Sequence, residues 1–207
     1  MTKKHYELVP EDTIEHKGVK LFRIRSLGTT TRPKGSLGGY VQHEHNLVQG
    51  TTAWVDDNAK VHGSASVRGN AIVEQDAEVF GQAEIYDHVK ITGSAKVSGQ
   101  FELRGNTKIS GSMRLKKRPH QVVRSDGYYF TLAKDHEGEW RIAAGCRYFS
   151  FDEAWYHWSN RRYGEELQFE SLAILTYFET MAGIKRSGKK MKKRWKRARE
   201  MAAGAYD

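Results

Sequence analysis

From position 53 onward every sixth residue is small or apolar, and the residue two places later is always Val, Ile or Leu. The first series runs Ala53, Ala59, Ala65, Ala71, Ala77, Ala83, Val89, Ala95, Phe101, Thr107, Met113. The second runs Val55, Val61, Val67, Val73, Val79, Ile85, Ile91, Val97, Leu103, Ile109, Leu115. A helical face repeats every 3.6 residues and a half-buried strand every two, so neither produces a strict step of six. The pattern predicts a parallel β-solenoid in which three six-residue units complete one turn. Eleven units, at about 4.8 Å per turn, make a column on the order of 20 Å tall. Gly recurs two places after the aliphatic position, at Gly63, Gly69, Gly81, Gly93, Gly99, Gly105 and Gly111. These residues are expected to turn the corners, because Gly tolerates the positive φ of a sharp bend.

The fold class expected is mainly β, in four parts. Residues 1–40 read as an N-terminal β cap, with strands at Thr13–Glu15 and Val19–Arg25 around a turn at His16, Lys17 and Gly18. Such a cap would hide the unpaired backbone at the end of the coil. Residues 41–118 hold the coil. Residues 119–183 read as a small α+β domain, with strands at Tyr128–Ala133 and Glu139–Ala143 joined by a turn from Asp135 to Gly138. Ser150 and Glu153 form a capping-box pattern that opens a helix through Arg161. A second helix, about Glu165–Ala182, is apolar on most sides and is expected to be buried. Residues 184–207 read as a basic amphipathic tail.

The charge of +9 is unevenly spread. Residues 184–207 carry ten Lys or Arg against Glu200 and Asp207, a net of +8, which leaves a nearly neutral body. Lys189, Lys190, Lys192, Lys193, Arg194, Lys196, Arg197 and Arg199, with Trp195 to stack or insert, form the expected polyanion-binding segment. Contacts of this type are electrostatic, insensitive to base sequence and steeply salt dependent. The single cysteine, Cys146, excludes a disulfide framework within the chain. The N-terminal residues lack a signal-peptide core, and no run reaches the eighteen or so apolar residues of a membrane span. A cytoplasmic location follows as the expectation.

The stretch from Gly35 to Val73, GSLGGYVQHEHNLVQGTTAWVDDNAKVHGSASVRGNAIV, resembles hexapeptide-repeat proteins of bacterial and phage genomes. The resemblance lies in Gly38, Gly39, Tyr40 and Val41, in Asn46 and Leu47, in Gly50, and in Trp54 and Val55 ahead of the Ala-x-Val-x-Gly series. The segment AAGCRYFSFDEAWYHW, from Ala143 to Trp158, is similar to a small domain that follows such repeats in phage-type proteins. The resemblance implies a left-handed coil and a homotrimer. A phage-encoded chain would then work in the host cytoplasm.

The wider superfamily includes acyltransferases and metal-dependent carbonic anhydrases. An acyltransferase of this kind places a general-base His between subunits, helped by a loop that interrupts the coil. Here the coil is uninterrupted, although His62 or His88 could supply the imidazole. A carbonic-anhydrase-like centre needs three converging imidazoles. His62 and His88 are 26 residues apart whereas stacked positions differ by 18, and His43 and His45 share a face without a third ligand. Neither a metal nor a cofactor is therefore expected. Trp155, His157 and Trp158 could pass for a ligand box, but two Trp at helical spacing read as core or interface, and Cys146 has no evident His and acid partners for a catalytic thiol.

Stepping by 18 stacks Arg68, Tyr86 and Arg104 in one column, a ladder able to hold a planar or phosphorylated ligand. Lys60, Glu78, Lys96 and Arg114 stack in another, and Ser66, Glu84 and Glu102 in a third. Three functional expectations follow. The leading one is a non-enzymatic binding or assembly protein of phage or mobile-element type, whose basic arms contact nucleic acid. The second is an acyltransferase with an intersubunit His. The third is a trimer that sequesters a small or cyclic nucleotide, such as a defence signal, near the Arg68 column. A host protein is a further class of partner.

Overall fold

The structure is a computed structural model that describes residues 3–160 and 165–184. Its centre is a parallel β-solenoid of about four turns. Three N-terminal strands, β1 (Tyr6–His16), β2 (Val19–Ser26) and β3 (Leu37–Val41), precede eleven two-residue strands, β4 (Trp54–Val55) through β14 (Arg114–Leu115). They form three sheets: β1-β2-β3-β5-β8-β11-β14, β4-β7-β10-β13 and β6-β9-β12. From β4 onward, neighbours in a sheet lie 18 residues apart, so Lys60 pairs with Glu78, Glu78 with Lys96, and Lys96 with Arg114.

Every member of the aliphatic series points inward and is at most 3% exposed. The small series is buried beside it with one departure, Phe101, which packs only partly against the core. Thr107 is the polar member of that series. Its hydroxyl donates to Arg104 O at 2.8 Å and accepts from Gln121 Nε2 at 2.7 Å, so its burial leaves no unmet hydrogen bond.

Corners fall two residues after each aliphatic position from Val55 to Ile109, and all ten have positive φ. Glycine fills most of them; at Gly93 an added Cβ would sit 2.6 Å from Gly111 O. Three corners are not glycine: Asp57, Gln75 and Asp87, with φ of 51°, 61° and 58°. Each offers a side-chain oxygen to the backbone N–H one turn further on. Asp57 accepts from Gln75 N at 3.0 Å, Gln75 from Gly93 N at 2.7 Å, and Asp87 from Gly105 N at 2.9 Å. The hydrogen bond offsets the strain that a Cβ incurs in this backbone region.

The β1–β2 hairpin joins the first sheet through β2 and β3, which run antiparallel. Tyr6 and Ile24 enter the solenoid core, and the Tyr6 hydroxyl lies 2.7 Å from Leu47 O. A register shift between Val9 and Thr13 bends β1, and the hairpin turn at Lys17 and Gly18 lies over the outside of the sheet. Both strands are longer than the sequence predicts, since Pro10 and the charged run around it mask the first half of β1.

At the other end, β15 (His120–Val123), β16 (Tyr129–Lys134), β17 (Trp140–Ala144) and β18 (Arg147–Phe149) form an antiparallel sheet. Two of these strands are those expected; β15 and β18 are too short and too mixed to be read from periodicity. One face of the sheet places Ala133 and Ala143 in the solenoid core. The other packs Phe130, Leu132, Ile142 and Ala144 on helices α1 (Phe151–Asn160) and α2 (Glu165–Met181). The capping box is present: Ser150 N donates to Glu153 Oε2 at 2.7 Å and Glu153 N to Ser150 Oγ at 3.3 Å. Trp155 and Trp158 are core residues, as expected. Helix α2 is not buried all round: it buries the apolar Ile174, Leu175 and Phe178 beside the polar Gln168, Ser171 and Glu179, and exposes Tyr177 and Met181. No described helix is long and apolar enough to cross a membrane.

Candidate polyanion interface

The six-residue period stops at Leu115, and Pro119, which has no N–H to donate, helps carry the chain out of the coil. Between that exit and the β16–β17 hairpin lies a cavity of about 870 Å³. Its walls carry Arg114, Lys116, Lys117, Arg118, His120, Lys134 and His136, with Trp140 at its side and Asp135 and Glu137 as its acids. Lys116, Lys117, Arg118 and Lys134 are exposed. Arg114 is committed to the backbone, donating to Ser94 O and Ser112 O at 2.7 and 3.0 Å.

The acids do little to neutralise this groove. Burial opposes the ionisation of Asp135, but Arg141 at 2.8 Å and the N–H groups of Glu137 and Glu139 outweigh it and hold the carboxyl below its usual range. Asp135 is therefore an ion pair and turn-former, which leaves Glu137 as the exposed acid. Lys134 Nζ lies 5.3 Å from the centre of the Trp140 ring. Cations interleaved with an aromatic ring in an open groove can hold phosphates while a base stacks. Counting charge by segment concealed this site, because acids elsewhere cancel the Lys116–Arg118 run in the total.

The Arg68, Tyr86 and Arg104 column forms in part. The Arg68 guanidinium lies 4.6 Å from the Tyr86 ring centre, and β6, β9 and β12 bring Val67, Ile85 and Leu103 into register beside it. The same face carries acids that engage these groups. Arg68 bonds Glu84 at 3.2 Å, and the Tyr86 hydroxyl donates to Glu102 at 2.5 Å. Hydrogen bonding to Glu102 raises the Tyr86 pKa, with desolvation adding to it. Arg68 and Tyr86 are thus each tied to a carboxylate of the same face.

A different cluster lies beneath the hairpin turn. Glu78, 3% exposed, receives four donors. His16 Nε2, His62 Nε2 and Lys17 Nζ stand 2.8, 3.0 and 2.5 Å from Oε1, and Lys96 Nζ stands 3.0 Å from Oε2. Burial alone would push this carboxyl up; the bonds from His62, Lys17, His16 and Lys96 overturn that and hold it far below the usual carboxylate range. The His62 ring stacks on Phe80 at 5.3 Å with 7° between planes. His62 is 8% exposed, so it faces the hairpin and not open space. The Lys96 and Glu78 pairing follows the expected column. The sequence places His16 only in a turn, since nothing local links it to a residue 62 positions away.

The remaining candidates are dispersed. His88 is exposed and meets Asn70 at 3.0 Å, His43 and His45 stack at 5.2 Å, and Cys146 is exposed in the β17–β18 turn. The basic segment Lys189, Lys190, Lys192, Lys193, Arg194, Trp195, Lys196, Arg197 and Arg199 lies outside the described residues. The sequence matches no protein family model and no curated protein.

Proposed function

We propose that this chain is a non-enzymatic, left-handed β-helix that assembles as a trimer and presents a basic C-terminal half to nucleic acid. The observation that carries the reading is the groove lined by Lys116, Lys117, Arg118, Lys134 and Trp140, on a chain whose residues 184–207 add a net of +8. Both features attract phosphates, and neither requires a particular base sequence. The stacked turns form a stiff column that fixes the groove, while the resemblance to phage-type hexapeptide-repeat proteins supports the handedness and the threefold assembly. Three such groups on one trimer act as a multivalent binder.

The test is fluorescence anisotropy of labelled duplex DNA and single-stranded RNA with the full chain and with a chain ending at Ile184. Binding in the micromolar range is expected at about 150 mM salt, weakened at least about tenfold by the truncation. Replacing the basic residues between Lys189 and Arg199 by Gln in the full-length chain checks that charge, not folding, is the cause. An absence of binding to either polymer at low salt overturns the reading.

A further inference from the structure

We propose that His16, His62 and Glu78 form a binding site for a divalent cation of the Zn²⁺ type, closed by the β1–β2 hairpin turn. Two imidazole Nε2 atoms and one carboxylate oxygen all lie within 4.8 Å of one another. Two neutral imidazoles and a carboxylate are a Zn²⁺ donor set, with bonds of about 2.0–2.1 Å in a tetrahedral arrangement. Atoms bound at that length stand about 3.3 Å apart. The spacings to Glu78 Oε1 are 2.8 Å from His16 and 3.0 Å from His62, so an opening of a few tenths of an ångström admits the ion.

The surroundings favour the same assignment. A carboxylate oxygen offers about two lone-pair directions, yet Glu78 Oε1 is approached by three donors, His16, His62 and Lys17. A cation relieves this crowding, because both imidazoles then present lone pairs to it in place of N–H groups. Each Nε2 proton must move to Nδ1 or leave on binding, which makes the affinity pH dependent. Lys17 Nζ holds the position of a positive charge beside Oε1, and its side chain is 50% exposed, free to swing into solvent. Lys96 keeps Oε2 and would orient the carboxylate from outside the coordination sphere. The Phe80 stack fixes the His62 ring in advance. The site joins β1 to β5 and β8, so an ion there would lock the hairpin onto the coil.

The experiment is isothermal titration of Zn²⁺ into the metal-stripped full-length protein, with Co²⁺ absorption as a report on coordination geometry. One ion per chain with tetrahedral Co²⁺ bands is expected. His16→Ala, His62→Ala and Glu78→Gln should each weaken binding at least about tenfold, and Lys17→Met should strengthen it. His43→Ala/His45→Ala should leave it unchanged. His16 lies on the hairpin turn and is about one-quarter exposed, so its removal separates lost coordination from misfolding. Binding that survives His16→Ala and His62→Ala, binding lost with His43 and His45, or no binding at all overturns the site.

Discussion

His16 and Glu78, 62 residues apart in sequence, meet at 2.8 Å beneath the hairpin turn. The contact ties a segment outside the repeat to the middle of the coil. Removing the charge leaves the buried His62 without its ion-pair partner, while the more exposed Lys17 and Lys96 can turn to water, and a buried group left so costs about 1–3 kcal/mol. Glu78→Gln is therefore expected to lower the urea midpoint markedly, while Glu84→Gln, on an exposed face, changes it little.

The same carboxyl governs acid stability. Its folded pKa lies below its unfolded value, so its contribution is complete above about pH 4.5 and is lost progressively as pH falls below that. Urea melts of the wild type between about pH 7 and pH 3 should show falling stability at the acid end, and Glu78→Gln should flatten that slope.

Corner chemistry supplies a second check. Asp87 has φ of 58° and accepts from Gly105 N. Asp87→Ala keeps the strain and loses the bond, at a cost of about 1–2 kcal/mol. Asp87→Gly loses the bond but relieves the strain, so it should stand closer to the wild type. Gly93→Ala should be worse than either, since its Cβ meets Gly111 O at 2.6 Å. Chemical denaturation orders the three directly.

Assembly is tested by mass. Sedimentation equilibrium or light scattering should return three times the 23.7 kDa chain; a species of one chain mass would remove the trimer from the proposal.

The coil was legible because its code is local and repeated. Each inward position recurs at a fixed step, and one Val or Ala per unit suffices to declare it, as Val61, Val79 and Val97 illustrate by stacking in one column. The columns of outward residues followed from the same step, which is why Glu78 and Lys96 could be paired in advance. The hairpin cluster was not legible, because His16 reaches Glu78 through a bend in β1 that leaves no periodic trace. The basic groove was hidden for a different reason: Lys116–Arg118 and Lys134 converge only when β16 and β17 fold back beside the last turn. At Phe101 the pattern over-predicted burial, because a large ring does not fit the place that Ala83 fills one turn earlier.

The salt dependence of duplex DNA binding tests the groove most directly. In the full-length chain, Lys116→Gln/Lys117→Gln/Arg118→Gln should reduce the slope of log Kobs against log salt by about 2.7, near 0.9 for each phosphate contact removed. Wild-type and triple-variant slopes that coincide would contradict a nucleic-acid interface at this end of the coil.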